Sequence, residues 1–75
     1  MKKHIFTFGI MHPYSDRHQV IYAKDAETAR QAMIDTYDNN WAFQYTEEEW
    51  EKSKSEGYFK KNQPIEAIYC EEEEE

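Results

Sequence analysis

With 75 residues the chain allows one domain and a thin core, since a chain this short hides only about 60–65% of its unfolded surface. Aromatic residues at 16% offset part of that shortage, because each buried ring removes roughly 150–250 Å² from water. The formal charge of -7 excludes direct binding to phosphate backbones as the leading function, and no apolar run approaches the roughly 20 residues of a membrane-spanning helix.

The charge is unevenly placed. Up to Tyr45, the bases Lys2, Lys3, Arg17, Lys24 and Arg30 balance the acids Asp16, Asp25, Glu27, Asp35 and Asp38. From Thr46 on, four lysines face eleven glutamates, so the excess charge belongs to the C-terminal part and favours a basic partner. The single cysteine, Cys70, has no intramolecular partner and fits a reducing compartment, so the expected location is the cytosol. The N-terminus has no small-residue cleavage site and reads as a first strand, not a signal peptide.

Lys3 to Ile10 alternates, with His4, Phe6, Phe8 and Ile10 on one face and Ile5, Thr7 and Gly9 on the other. Apolar groups on both faces predict a central strand, and Gly9 predicts a bulge or a close backbone approach. Met11 to Arg17 is a loop with turn chemistry at Pro13 and Ser15-Asp16. His18 to Ala23, rich in β-branched and aromatic residues, is a second strand.

Asp25 is placed to cap a helix from Ala26 to about Asp38. Ala26, Ala29, Met33 and Tyr37 form its apolar stripe, and Glu27, Gln31, Asp35 and Asp38 its polar side. Asn39-Asn40 can supply the left-handed residue that ends it. Trp41, Phe43 and Tyr45 then alternate as a strand, read as core. At Thr46 the period changes. Thr46 and Glu49 form a T-x-x-E capping box, and Tyr45 and Trp50 are spaced for a hydrophobic staple. This second helix gains i,i+4 pairs Glu48–Lys52 and Lys52–Glu56, and Gly57 fits the position just past its end. Tyr58 to Pro64 is a polar loop, and Ile65 to Cys70 a last strand at a sheet edge. Residues 1–70 thus form an α+β, two-layer domain of order β-β-α-β-α-β, with the main helix packed on about four strands. Glu71 to Glu75 is a like-charge run expected to be disordered.

Catalytic signatures are weak. His12 and His18 flank a loop that also carries Tyr14, Asp16 and Arg17, yet neither H-x-x-x-H nor C-x-x-C occurs, and no metal or cofactor is expected. Cys70 lies beside five glutamates, which oppose thiolate formation, and reads as a small hydrophobe in a strand. Two glycines cannot build a glycine-rich phosphate loop. A pair such as Glu47 and Glu51 lacks the enclosed pocket an enzyme needs, so the chain reads as non-enzymatic.

The sharper candidate is the glutamate cluster. Glu47, Glu48 and Glu51 spread over about 100° of the second helix, and with Glu49, Asp35 and Asp38 they make a candidate partner-binding set. Ordered carboxylates can imitate phosphates spaced at about 3.4 Å per strand, and would then occupy a basic nucleic-acid groove. The plainer reading is a solvated helix start whose acids favour the dipole.

The segments F-T-F-G (6–9), A-K-D-A-E-T-A-R (23–30) and W-A-F-Q-Y-T-E-E-E-W (41–50) together resemble a group of small acidic phage- and prophage-encoded proteins of uncharacterised function. That group has a T-F-G strand, an A-x-D-x-x-x-A-R helix start and a W-x-x-x-Y-x-E-E-F-type junction. The resemblance covers Phe6 to Trp50. Trp50 stands where the group has phenylalanine, and the glutamate tail has no counterpart. No catalytic residue is carried over. The resemblance implies an accessory protein acting in the host cytosol on a basic nucleic-acid-binding defence enzyme, such as a CRISPR nuclease, a restriction enzyme or a repair glycosylase. Two alternatives stand beside it: an interaction module using aromatics such as Tyr14, Tyr58 and Phe59, and a structural domain that forms a homodimer through an edge strand.

Overall fold

The computed structural model describes residues 1–59 and 62–70. Its elements are β1 (Lys2–Thr7), β2 (Arg17–Ala23), α1 (Ala26–Tyr37), β3 (Phe43–Thr46), α2 (Glu47–Ser55) and β4 (Gln63–Tyr69). The class is α+β, in the expected β-β-α-β-α-β order. The expected tail, Glu71–Glu75, lies outside the described residues.

The four strands form one mixed sheet of order β3-β1-β2-β4. β1 pairs antiparallel with both β2 and β3, while β4 joins β2 in parallel. β1 is therefore central, as its two apolar faces require: Ile5 and Phe6 point to opposite sides and both are fully buried. β4 lies at an edge.

Each face has its own core. Phe6, Phe8 and Ile21 pack with Ala29 and Met33 of α1, joined by Tyr37 and Trp41. On the other face Ile5 and Val20 pack with Trp50 of α2, joined by Tyr45 and Phe59. The registers Ile5↔Val20, Ile5↔Tyr45 and Phe6↔Gln44 agree with that division. α1 packs on the sheet as expected, but α2 adds a layer on the opposite side, so the sheet is sandwiched and not two-layered. Counting apolar positions cannot reveal this, because α2 buries only Trp50.

Several local readings change. β1 stops at Thr7, and Ile10 leaves the strand for a turn closed by the His12 amide donating to the Gly9 carbonyl at 3.0 Å. Gly9 makes no close approach, since a Cβ there would meet nothing within 4 Å. The left-handed residue that ends α1 is Asp38 (φ 55°), ahead of the asparagines. β3 begins only at Phe43, so Trp41 turns to the α1 side and meets Phe6 edge-on at 5.2 Å. Tyr45 lies on the α2 side, and Phe43, read as core, is exposed.

Candidate functional site

α2 is built as its sequence requires. The Glu49 amide donates to Thr46 Oγ1 at 3.1 Å, and the Thr46 amide donates to Glu49 Oε1 at 2.9 Å. Tyr45 and Trp50 rings lie 5.7 Å apart, which completes the staple. Trp50 also stacks on Phe59 at 4.4 Å and lies 4.6 Å from the His18 ring. The helix is thereby held at both its first turn and its buried face.

This construction sorts the glutamates. Glu49 is turned back onto the cap and is occupied there. Glu51 pairs with Lys54 at 3.0 Å, and among the described residues the expected Glu48–Lys52 and Lys52–Glu56 pairs do not form. Glu47 and Glu48 are exposed and carry no ion pair among the described residues. Asp35 accepts a hydrogen bond from Gln31 Nε2 at 3.0 Å on α1, and the Asp38 amide donates to Ile34 at 2.8 Å as the helix ends. Both helices start at the same end of the strands, beside the start of β1, and pack on opposite faces. Asp35 and Asp38 are therefore removed from Glu47, Glu48 and Glu51 by layer and by height, and the six acids do not form one surface.

The histidines take different roles. His12 accepts from the Tyr14 amide through Nδ1 at 3.0 Å and lies against Phe8. His18 is buried between Trp50 and an Asn62 side chain that shares a hydrogen bond with Nδ1. Among the described residues no group of three or more His, Cys, Asp or Glu is placed to hold a metal ion. Cys70 is half-buried against the α1-side core.

Burial holds the His18 pKa below its usual 6.5; the Asn62 bond opposes this, and Lys3 and Lys54 assist it. The unfolded chain therefore takes up this proton first on acidification. Stability should fall as the pH drops below about 6.5 and level off once folded His18 is also protonated. Urea midpoints measured from pH 8 to pH 5 test this, with His18→Gln expected to lose that component of the slope. Equal slopes for the two proteins would contradict it. The Asp25 carboxyl, held below 3.8 by the Thr28 amide, acts in a separate window at lower pH.

A cleft of about 620 Å³ lies beyond the ends of β2 and β3, lined by residues that include Lys2, Lys3, His4, Tyr22, Glu47 and Glu48. Local reading of the sequence misses it. Compared with known proteins, the chain matches no family model, no curated protein and no solved structure. No helix among the described residues is long and apolar enough to cross a membrane.

Proposed function

We propose that the chain is a non-enzymatic binding protein that engages a basic, nucleic-acid-binding protein through the outward carboxylates of α2. The observation that carries this reading is Glu47, Glu48 and Glu51 exposed on a helix locked by its capping box and by buried Trp50. Rigid carboxylates lose little freedom on binding and can present charge at fixed spacing. The Lys54 contact narrows the strongest part of the surface to Glu47 and Glu48. The resemblance to small phage proteins supports, by association, a bacterial defence enzyme as the target, and a net charge of -7 supports electrostatic steering toward it.

The test is capture of partners from bacterial lysate by the wild-type chain and by the Glu47→Gln, Glu48→Gln, Glu51→Gln variant. Captured nucleic-acid-binding proteins should be lost in the variant, and lost from the wild type as salt rises from about 0.1 M to about 1 M. Retention under both changes would sink the electrostatic reading. Exposed Tyr58 and Phe43 would then be the surface to replace.

A further inference from the structure

The loop between β1 and β2 is tightly fixed, yet it shows apolar side chains to solvent. Three turns close it: the His12 amide donates to the Gly9 carbonyl at 3.0 Å, Ser15 to His12 at 3.0 Å and Arg17 to Tyr14 at 2.8 Å. The Tyr14 amide also donates to His12 Nδ1. Buried Phe8 anchors the loop, with the His12 ring at 4.6 Å and the Tyr14 ring at 5.8 Å. On this fixed frame Ile10 is 91% exposed and Met11 95%. Single exposed apolar residues are common, but two adjacent ones held on an ordered loop mark a contact surface.

A recess lies beside them. Met11, His12 and Pro13 of this loop and Asn39, Trp41 and Ala42 of the α1–β3 connection line a cleft of about 640 Å³. The Ala42 amide donates to the Thr7 carbonyl at 2.8 Å, which ties the second wall to β1. Phe43, next in the chain, is exposed.

Charge selects the occupant. Residues 8–14 read F-G-I-M-H-P-Y and residues 39–43 read N-N-W-A-F, so neither wall carries an acid, a lysine or an arginine in a chain that is 33% charged. At a net charge of -7 two copies repel, and they approach closely only over a neutral surface. A basic or an acidic partner finds nothing here to select it. The projecting side chains and the recess also share one end of the molecule. A two-fold contact requires this, because the same patch must serve as both surfaces.

We infer that the occupant is a second copy of this chain, with Ile10 and Met11 of each copy set over the cleft of the other. The start of α2 lies at the far end of β1, since Thr46 stands opposite His4 and Phe43 opposite Thr7. The contact therefore leaves Glu47 and Glu48 free and is independent of the protein-binding reading. The β4 edge is a poorer surface for self-pairing, because Pro64 lacks a donor and Glu66 brings a like charge to its own copy. A standard interface uses roughly 20–30 residues a side. These two short segments supply fewer, so the dissociation constant should be on the order of 100 µM.

Sedimentation equilibrium of the full chain from about 10 µM to about 1 mM should show a monomer–dimer equilibrium. Raising salt from about 0.05 M to about 0.5 M should tighten the dimer severalfold, because it screens repulsion between acidic copies. Binding through the α2 glutamates should weaken under the same change. Ile10→Asp and Ala42→Glu, one on each side of the contact, should each weaken the dimer about tenfold or more. Both side chains are exposed, so the thermal midpoints of the monomers should be unchanged. On dilution of the ¹⁵N-labelled chain, the amides of residues 9–12 and 39–43 should shift and those of residues 63–69 should not. A chain that stays monomeric to about 1 mM overturns the proposal and leaves the face to an unlike partner. A dimer that salt loosens, that either variant leaves unchanged, or whose shifts fall on β4 overturns it as well.

Discussion

Replacing Trp50 with alanine should remove about 3–5 kcal/mol of stability, the usual cost of truncating a buried tryptophan. A domain of this length has roughly 4–11 kcal/mol to lose, so the variant should be largely unfolded or close to it at room temperature. Trp50 is 2% exposed and is the one buried residue of α2. It touches five partners from separate parts of the chain: Ile5, His18 and Val20 in the sheet, Tyr45 before the cap, and Phe59 after the helix. Its loss would leave α2 with a capping box but no anchor, and an isolated nine-residue helix does not persist in water. The exposed glutamates would lose their spacing with it. Urea unfolding followed by far-ultraviolet circular dichroism measures the effect, with Tyr58→Ala, which removes a largely exposed ring, as a near-neutral control. A loss below about 1 kcal/mol would show that α2 is held by something other than Trp50.

Gln19→Leu should be the next most damaging change, at about 2–4 kcal/mol, because it takes the Gln19 partner from three polar groups, each worth about 1–3 kcal/mol where it is left unsatisfied. Gln19 is 1% exposed. Its Nε2 donates to the Glu66 carbonyl at 2.7 Å and to the Val20 carbonyl at 3.0 Å, while Oε1 accepts from the Tyr37 hydroxyl at 2.7 Å. One side chain thereby ties β2 to β4 and to α1. The position explains the need. The β2–β4 register shifts between Gln19 and Ile21, with Gln19 opposite Ile65 but Ile21 opposite Ile68. A bulge of this kind interrupts the ladder, and the Gln19 amide accepts the task of satisfying the Glu66 carbonyl. Adding Tyr37→Phe to Gln19→Leu should recover about 1 kcal/mol, since the hydroxyl is no longer left unpaired. Thermal unfolding of both single variants and the double variant forms the cycle. Strict additivity would argue against the shared bond.

The acidic surface shows how far local reading reaches. Residues three apart cap a helix wherever it packs, so the Thr46–Glu49 box was readable, yet Glu49 still counted among the partner-facing acids until its carboxylate was seen turned back onto the Thr46 amide. The separation of Asp35 and Asp38 from α2 was not readable, because it depends on which face each crossover lands on. Lys54 taking Glu51 in place of the expected Glu48–Lys52 pair is a choice between rotamers of similar energy on an exposed helix. The cleft escaped for a stronger reason. Lys2, Lys3, His4 and Tyr22 come from β1 and β2, and Glu47 and Glu48 from a helix more than forty residues after β1 begins.

By itself the amino-acid sequence determined the order of elements, the central place of β1, the edge place of β4, and the start of both helices at Asp25 and Thr46. Each of these rests on a period of two or of 3.6, or on hydrogen bonds between residues three apart. Only the tertiary structure decided that α2 crosses to the face opposite α1, that Trp41 and Tyr45 part to different sides, and that Gln19 is buried as a junction. Those outcomes follow from strand pairing between distant segments. The pairing is selected by the sum of burial on both faces, and no short stretch of the chain contains that sum.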